Sequence, residues 1–113
     1  MGRAWPGARR KRRHHHQMLA RQVLAKLAAR RNEHAPAETL AGEAVALAET
    51  IQAPINQGDV LMDLAEVLAM AGDTKRAIAE LERAAALYEH KGATACLART
   101  QQRLNELAAQ QGD

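Results

Sequence analysis

From Gln17 to the end of the chain, apolar residues recur every three or four positions, the period of an amphipathic helix. Segment 17–31 places Leu19, Val23, Leu24, Leu27 and Ala28 on one face, with Arg21, Lys26 and Arg30 elsewhere. Asn32 suits a left-handed stop, and Pro36 suits the first turn of a second helix. That helix, 36–52, stripes Leu40, Ala41, Ala44, Val45, Ala48 and Ile51, and Pro54 closes it. Asn56 is positioned to cap a third helix over 57–71, striped by Leu61, Leu64, Ala65, Leu68 and Ala71. Gly72 stops it, and Asp73 or Thr74 caps a fourth. The fourth carries Ala77, Ile78, Leu81, Ala84, Ala85 and Tyr88 as far as Gly92. A fifth, 93–109, stripes Ala93, Cys96, Leu97, Thr100, Leu104 and Leu107. Met1 to His16 shows no such period and carries five consecutive cations, so the pattern predicts a disordered basic tail, 1–16, ahead of a helical domain, 17–109.

The pattern repeats. Residues 24–49 slide without a gap onto 64–89, matching Leu24 to Leu64, Ala25 to Ala65, Ala37 to Ala77, Ala44 to Ala84 and Leu47 to Leu87, with Asn32 falling on Gly72. A helical pair with an apolar stripe on both helices cannot bury it alone, so the pairs stack. The repeats are read as 17–52 and 57–91, followed by a terminal helix. Composition agrees: of 113 residues 26 are Ala, Phe is absent, and one Trp and one Tyr are the only aromatics. Strands draw on β-branched and aromatic side chains, so the fold class is all-α: antiparallel helix-turn-helix pairs stacked in a short right-handed superhelix.

Leu61, Leu64, Ala65, Leu68, Gly72, Ala77, Leu81 and Ala84 stand at the signature positions of a tetratricopeptide repeat, which the second copy resembles. The first copy departs, with Arg21 for a bulky apolar residue and Ala28 and Ala41 for large ones. The period of 40 exceeds the usual ~34, and the surplus is assigned to a longer link around Gln52–Gln57. Residues 36–104, notably Gly58 to Leu68 and Leu87 to Gly92, are similar to the C-terminal repeat tails of large actinobacterial regulators. Such regulators carry an NTPase module, and often a cyclase or DNA-binding domain, ahead of the tail. The resemblance implies a stand-alone or truncated tail that inherits interaction rather than catalysis. A fragment of a larger ATPase or cyclase-type regulator is the related alternative.

Net charge of +3 conceals an asymmetry: residues 1–34 carry +9 and residues 35–113 carry −6. Arg9, Arg10, Lys11, Arg12 and Arg13 would bind phosphates non-specifically, giving a nucleic-acid accessory protein as a second alternative. No aromatic residue is interleaved among them for base stacking. Cys96 is the single cysteine and in phase with the fifth stripe, which reads as a small buried side chain. His14, His15 and His16 lack carboxylate spacing for a metal site. No nucleophile, base and orienting group assemble, so neither an enzyme nor a cofactor is expected. No apolar run reaches membrane length, and the cytoplasm is the expected compartment.

The first helix of each pair is expected to line a concave face. On the third helix Asp59, Met62, Asp63, Glu66 and Met70 point off the packing stripe and become the candidate peptide-binding residues. Acids flanking two methionines suit a basic, partly apolar peptide. Gln22, Lys26 and Arg30 on the first helix would split the groove electrostatically. The Lys/Asn carboxylate clamp of chaperone-tail binders is absent. Fewer than three repeats is marginal for a lone solenoid, which predicts a homodimer or attachment to a protein partner.

Overall fold

A computed structural model describes residues 6–111. Five helices follow one another, with no strand among the described residues: α1 (Pro6–Arg30), α2 (His34–Ile51), α3 (Pro54–Met70), α4 (Thr74–Lys91) and α5 (Thr94–Gln111). Short turns fold each helix back on its predecessor. α1 also reaches α3, and Arg103 of α5 reaches Glu66 of α3, so these three helices share one side. α2 and α4 share the other, joined by the Arg76–Glu38 ion pair at 2.6 Å. The array measures 62 × 33 × 16 Å.

Its turns are spaced evenly. Asn32, Gln52, Gly72 and Gly92 all have positive φ, between 57° and 87°, and they stand twenty residues apart. Three of these turns close in the same way. The residue at positive φ donates its N–H to a carbonyl three back (Ala29, Ala69, Glu89), and the next residue donates five back (Ala28, Leu68, Tyr88). This satisfies carbonyls that a helix end would otherwise leave unpaired. Asp73 caps α4, its carboxylate accepting from the Arg76 N–H at 3.3 Å. Asn56 does not cap α3: Pro54 opens that helix, with Ala53 at the cap position. Proline suits the first turn because the N–H it lacks has no partner there anyway. The extra length of the repeat therefore lies not in a link around Gln52–Gln57 but in the helices, α2 to α5 being 17 or 18 residues long.

The core is built where alanines let helices approach. Ala65 and Ala77 are fully buried among Leu64, Leu68 and Leu81, and Ala84 packs with Leu61 and Tyr88. The stripes expected on α2, α4 and α5 face inward. On α3, Val60 and Val67 join the expected leucines as fully buried residues.

α1 differs from expectation twice. It begins at Pro6, so residues 6–16, expected as a disordered tail, are helical, while residues 1–5 lie outside the described residues. Arginine and lysine are good helix formers, and His14 Nδ1 meets the Thr50 hydroxyl of α2 at 2.8 Å, tying this stretch to the domain. The second difference concerns its face. Leu19, Val23, Leu24 and Leu27 were expected to be core and are 42–57 % exposed, whereas Met18, Ala25, Ala28 and Ala29 are buried. Alanines win the inward face because they allow α1 to lie close against α2 and α3, where leucines would hold the backbones apart.

Candidate functional site

The side shared by α1, α3 and α5 carries a groove. One cavity, of about 410 Å³, is lined by Gln22 and Lys26 of α1, Asp59, Met62 and Asp63 of α3, and Arg99 of α5. A second, of about 250 Å³, lies beside it between Lys26, Ala29, Arg30, Asp63, Glu66, Val67 and Met70. Lys26 and Asp63 border both cavities, so the two are halves of one groove. All five candidate residues of α3 border it. Their spacing explains this, since positions 59, 62, 63, 66 and 70 follow the three-to-four period of one helix face.

The acids are not free. Asp63 Oδ2 accepts from Gln22 Nε2 at 2.8 Å and stands 3.5 Å from Lys26 Nζ. Glu66 is gripped by two guanidinium nitrogens of Arg103, at 2.5 and 3.2 Å. That hydrogen bond, more than the charge itself, raises the Arg103 pKa above its ordinary value against the opposing effect of burial. Asp59 Oδ1 accepts the Tyr88 hydroxyl at 2.5 Å. Burial, then this bond and the neighbouring charge, pushes the Tyr88 phenol well above its usual range. The Asp59 bond depends on Gly58, whose missing side chain leaves room for the Tyr88 ring.

The methionines differ from one another. Met70 is half exposed at the mouth of the smaller cavity. Met62, expected to be exposed, is half-buried, with its sulfur 3.3 Å from the Thr100 hydroxyl. Thr100 is fully buried, and its hydroxyl donates to the Cys96 carbonyl at 2.8 Å. Sequence reasoning missed Arg99 and Arg103, because α5 was read as a terminal helix outside the repeat and its cations were not placed beside the acids of α3.

The groove is thus electrically mixed. Lys26 and Asp63 oppose one another across its middle, with Arg99 at one end and the Arg103–Glu66 pair alongside. The pair at the centre is partly solvated, with Lys26 56 % exposed, so it holds its place weakly. Of the phosphate-binding candidates, Arg9, Arg10, Arg12 and Arg13 are exposed on α1. At about 100° per residue they spread over roughly 160° of the helix rather than forming one row. The Lys11 side chain lies outside the described residues. Among the described residues no group of three or more His, Cys, Asp or Glu could hold a metal ion, and no helix is long and apolar enough to cross a membrane.

Comparison with family models, with curated proteins and with solved structures returns no match for this chain.

Proposed function

We propose that the chain is a tetratricopeptide-like interaction module whose groove along α1, α3 and α5 receives a short peptide. The observation that carries this reading is the continuity of the groove across three helices, with a weak ion pair, Lys26–Asp63, at its centre. The forty-residue recurrence of buried small residues, Ala25 with Ala65, Ala37 with Ala77 and Ala44 with Ala84, supports the repeat assignment. A basic side chain of the peptide enters at Asp63 in place of Lys26, and an apolar one settles against Met62 on one side or Val67 and Met70 on the other. The Lys26 side chain is 56 % exposed and returns to solvent at little cost, so the new pair with Asp63 adds a several-fold gain to an affinity set mainly by the apolar contact. Methionine, with three rotatable bonds, adapts to different occupants. In this reading the module binds without chemistry, as the cytoplasmic interaction tail of a bacterial regulatory protein.

Selection from a peptide library followed by fluorescence polarisation tests it. Selected peptides should carry a Lys or Arg two to four residues from a Leu, Ile or Met. Asp63→Asn should weaken them several-fold, and Lys26→Ala, by removing the internal competitor, should strengthen them. Peptides that bind Asp63→Asn and wild type equally would show that the groove is not the site.

A further inference from the structure

The outer face of α1 is a second surface, adjoining the groove at Arg30. At about 100° per residue, Leu19, Ala20, Val23, Leu24 and Leu27 fall within an arc of roughly 140°. The buried Met18, Ala25, Ala28 and Ala29 lie opposite. All five residues of the outer arc are exposed, a contiguous apolar patch of the kind that marks an interaction surface.

The repeat shows what such a face receives. The forty-residue shift takes Ala20, Leu24 and Leu27 onto Val60, Leu64 and Val67 of α3, which are 1 %, 8 % and 2 % exposed, and takes Leu19 and Val23 onto the groove residues Asp59 and Asp63. Val60, Leu64 and Val67 are covered by α2 together with α1, Val60 clustering with Met18, Ala44 and Ala48 and Leu64 and Val67 with Ala25, Ala28, Ala29, Ala37 and Ala41. α1 presents the same positions with no described helix over them. The part of the surface formed by Ala20, Leu24 and Leu27 is therefore placed to receive a helix as α3 receives α2.

Charge decides which helix. Along the same arc the patch is bounded by Arg12 and Arg13 on one side and Arg30 and Arg31 on the other, all exposed. Among the described residues none of the four has a carboxylate within ion-pair distance. α2, the helix that fills the equivalent place on α3, contains Glu38, Glu43 and Glu49 and no Lys or Arg. A second copy of α1 would bring eight Lys or Arg and no acid against the same set. α5 of a second copy offers an outer face of Ala98, Gln101, Gln102, Asn105 and Ala109, without large apolar residues. An anionic bilayer would pair the same arginines, but only a helix reproduces the cover that Val60, Leu64 and Val67 have on α3.

We propose that the outer face of α1 docks an acidic amphipathic helix of a partner protein, about the length of α2, with aliphatic residues at its centre and acids at both ends. The test uses the full chain and two designed 21-residue helical peptides sharing one leucine-striped centre, one ended by glutamates and one by lysines, titrated by calorimetry. The glutamate-ended peptide should bind saturably, and binding should weaken roughly tenfold or more in Leu24→Glu. It should weaken similarly in Arg13→Glu/Arg31→Glu and fall as salt rises. These positions are exposed, so circular dichroism should show the variants folded. Absence of saturable binding, equal binding of the lysine-ended peptide, or an unaffected Leu24→Glu would overturn the proposal. So would sedimentation showing a dimer that Leu24→Glu dissolves, which assigns the face to a second copy. Association with phosphatidylserine-containing vesicles that Leu24→Glu abolishes, without peptide binding, would assign it to a membrane and equally overturn it.

Discussion

Gly58→Ala isolates a single packing relation, and its magnitude follows from the geometry. A Cβ at Gly58 would stand 2.7 Å from Tyr88 Cε1 and 2.8 Å from Cζ, against ordinary carbon contacts of about 3.5–4.0 Å. The ring cannot easily withdraw. It is fully buried, packed on Leu61 and Ala84, and its hydroxyl is held by Asp59. Forcing a methyl group into a filled core costs about 1–3 kcal/mol. Alanine in place of a helical glycine returns about 0.5–1 kcal/mol. The net expectation is a loss of about 1–2 kcal/mol, read as a lower urea midpoint by circular dichroism at unchanged m-value. In a Tyr88→Leu background the ring is gone, so the same substitution should stabilise by about 0.5–1 kcal/mol through propensity alone. The two backgrounds should therefore differ by roughly 1.5–3 kcal/mol, a coupling large enough to measure in a double-mutant cycle. A Gly58→Ala that stabilises the parent chain, or a cycle that closes to within about 0.5 kcal/mol, would refute the reasoning.

Other expectations follow from the same contacts. Tyr88 holds its proton in the folded chain well above its ordinary range, whereas the unfolded chain ionises near pH 10. Its contribution is therefore complete below about pH 10 and lost as pH rises above it, at about 1.4 kcal/mol per pH unit. Tyr88→Phe should lack this component of the alkaline loss, and identical slopes in parallel urea titrations from pH 9 to 11 would contradict the assignment. On α1, Leu24→Ala should leave stability within about 0.5 kcal/mol of the parent, while Ala25→Leu should cost about 1–3 kcal/mol; thermal melts that rank the pair the other way would show the α1 orientation to be wrong. Arg103→Ala removes the tie between α5 and α3 across a partly solvated pair, so an equilibrium loss of about 1 kcal/mol or less is expected, smaller at high salt. Thr100→Val should be near neutral, because its hydroxyl donates to a carbonyl already inside a helix; a loss above about 2 kcal/mol by urea melt would show that the Met62 contact matters more than its geometry indicates.

What the sequence made legible was spacing. Asn32, Gly72 and Gly92 are residues that accept positive φ readily, and each marks a turn that the structure contains. Gln52 also sits at positive φ, but glutamine carries no preference that would announce it, so the second turn was hidden and the surplus length of the repeat was placed there. Pro54 read as a terminator because proline ends helices and also begins them, and periodicity alone does not separate the two roles. The α3 candidates fell on the groove because one face of a helix is fixed by the 3.6 period. Their ion pairs did not follow from the sequence, since Gln22, Lys26 and Arg103 meet them only across 37 to 41 residues of chain.

The α1 stripe carries the more general lesson. Ranking positions by hydrophobicity chooses Leu19, Val23, Leu24 and Leu27 for the interior, yet a helix can bury its alanine face instead when closeness of backbones, rather than side-chain volume, determines the contact. Three of the buried α1 residues are alanines packed among residues of α2 and α3, and α2 is itself buried through Ala37, Ala41, Ala44 and Ala48. α3 contains both surfaces at once: Ala65 on one side and Val60, Leu64 and Val67 on the other, each side covered. A helix inside such an array needs two apolar faces, one for the helix after it and one for the helix before it. α1 has the same two faces, and only the first is occupied among the described residues. The leucines therefore do not misreport the pattern of the chain. They report a neighbour that helices 6–111 do not supply, and the arginines around them specify its charge.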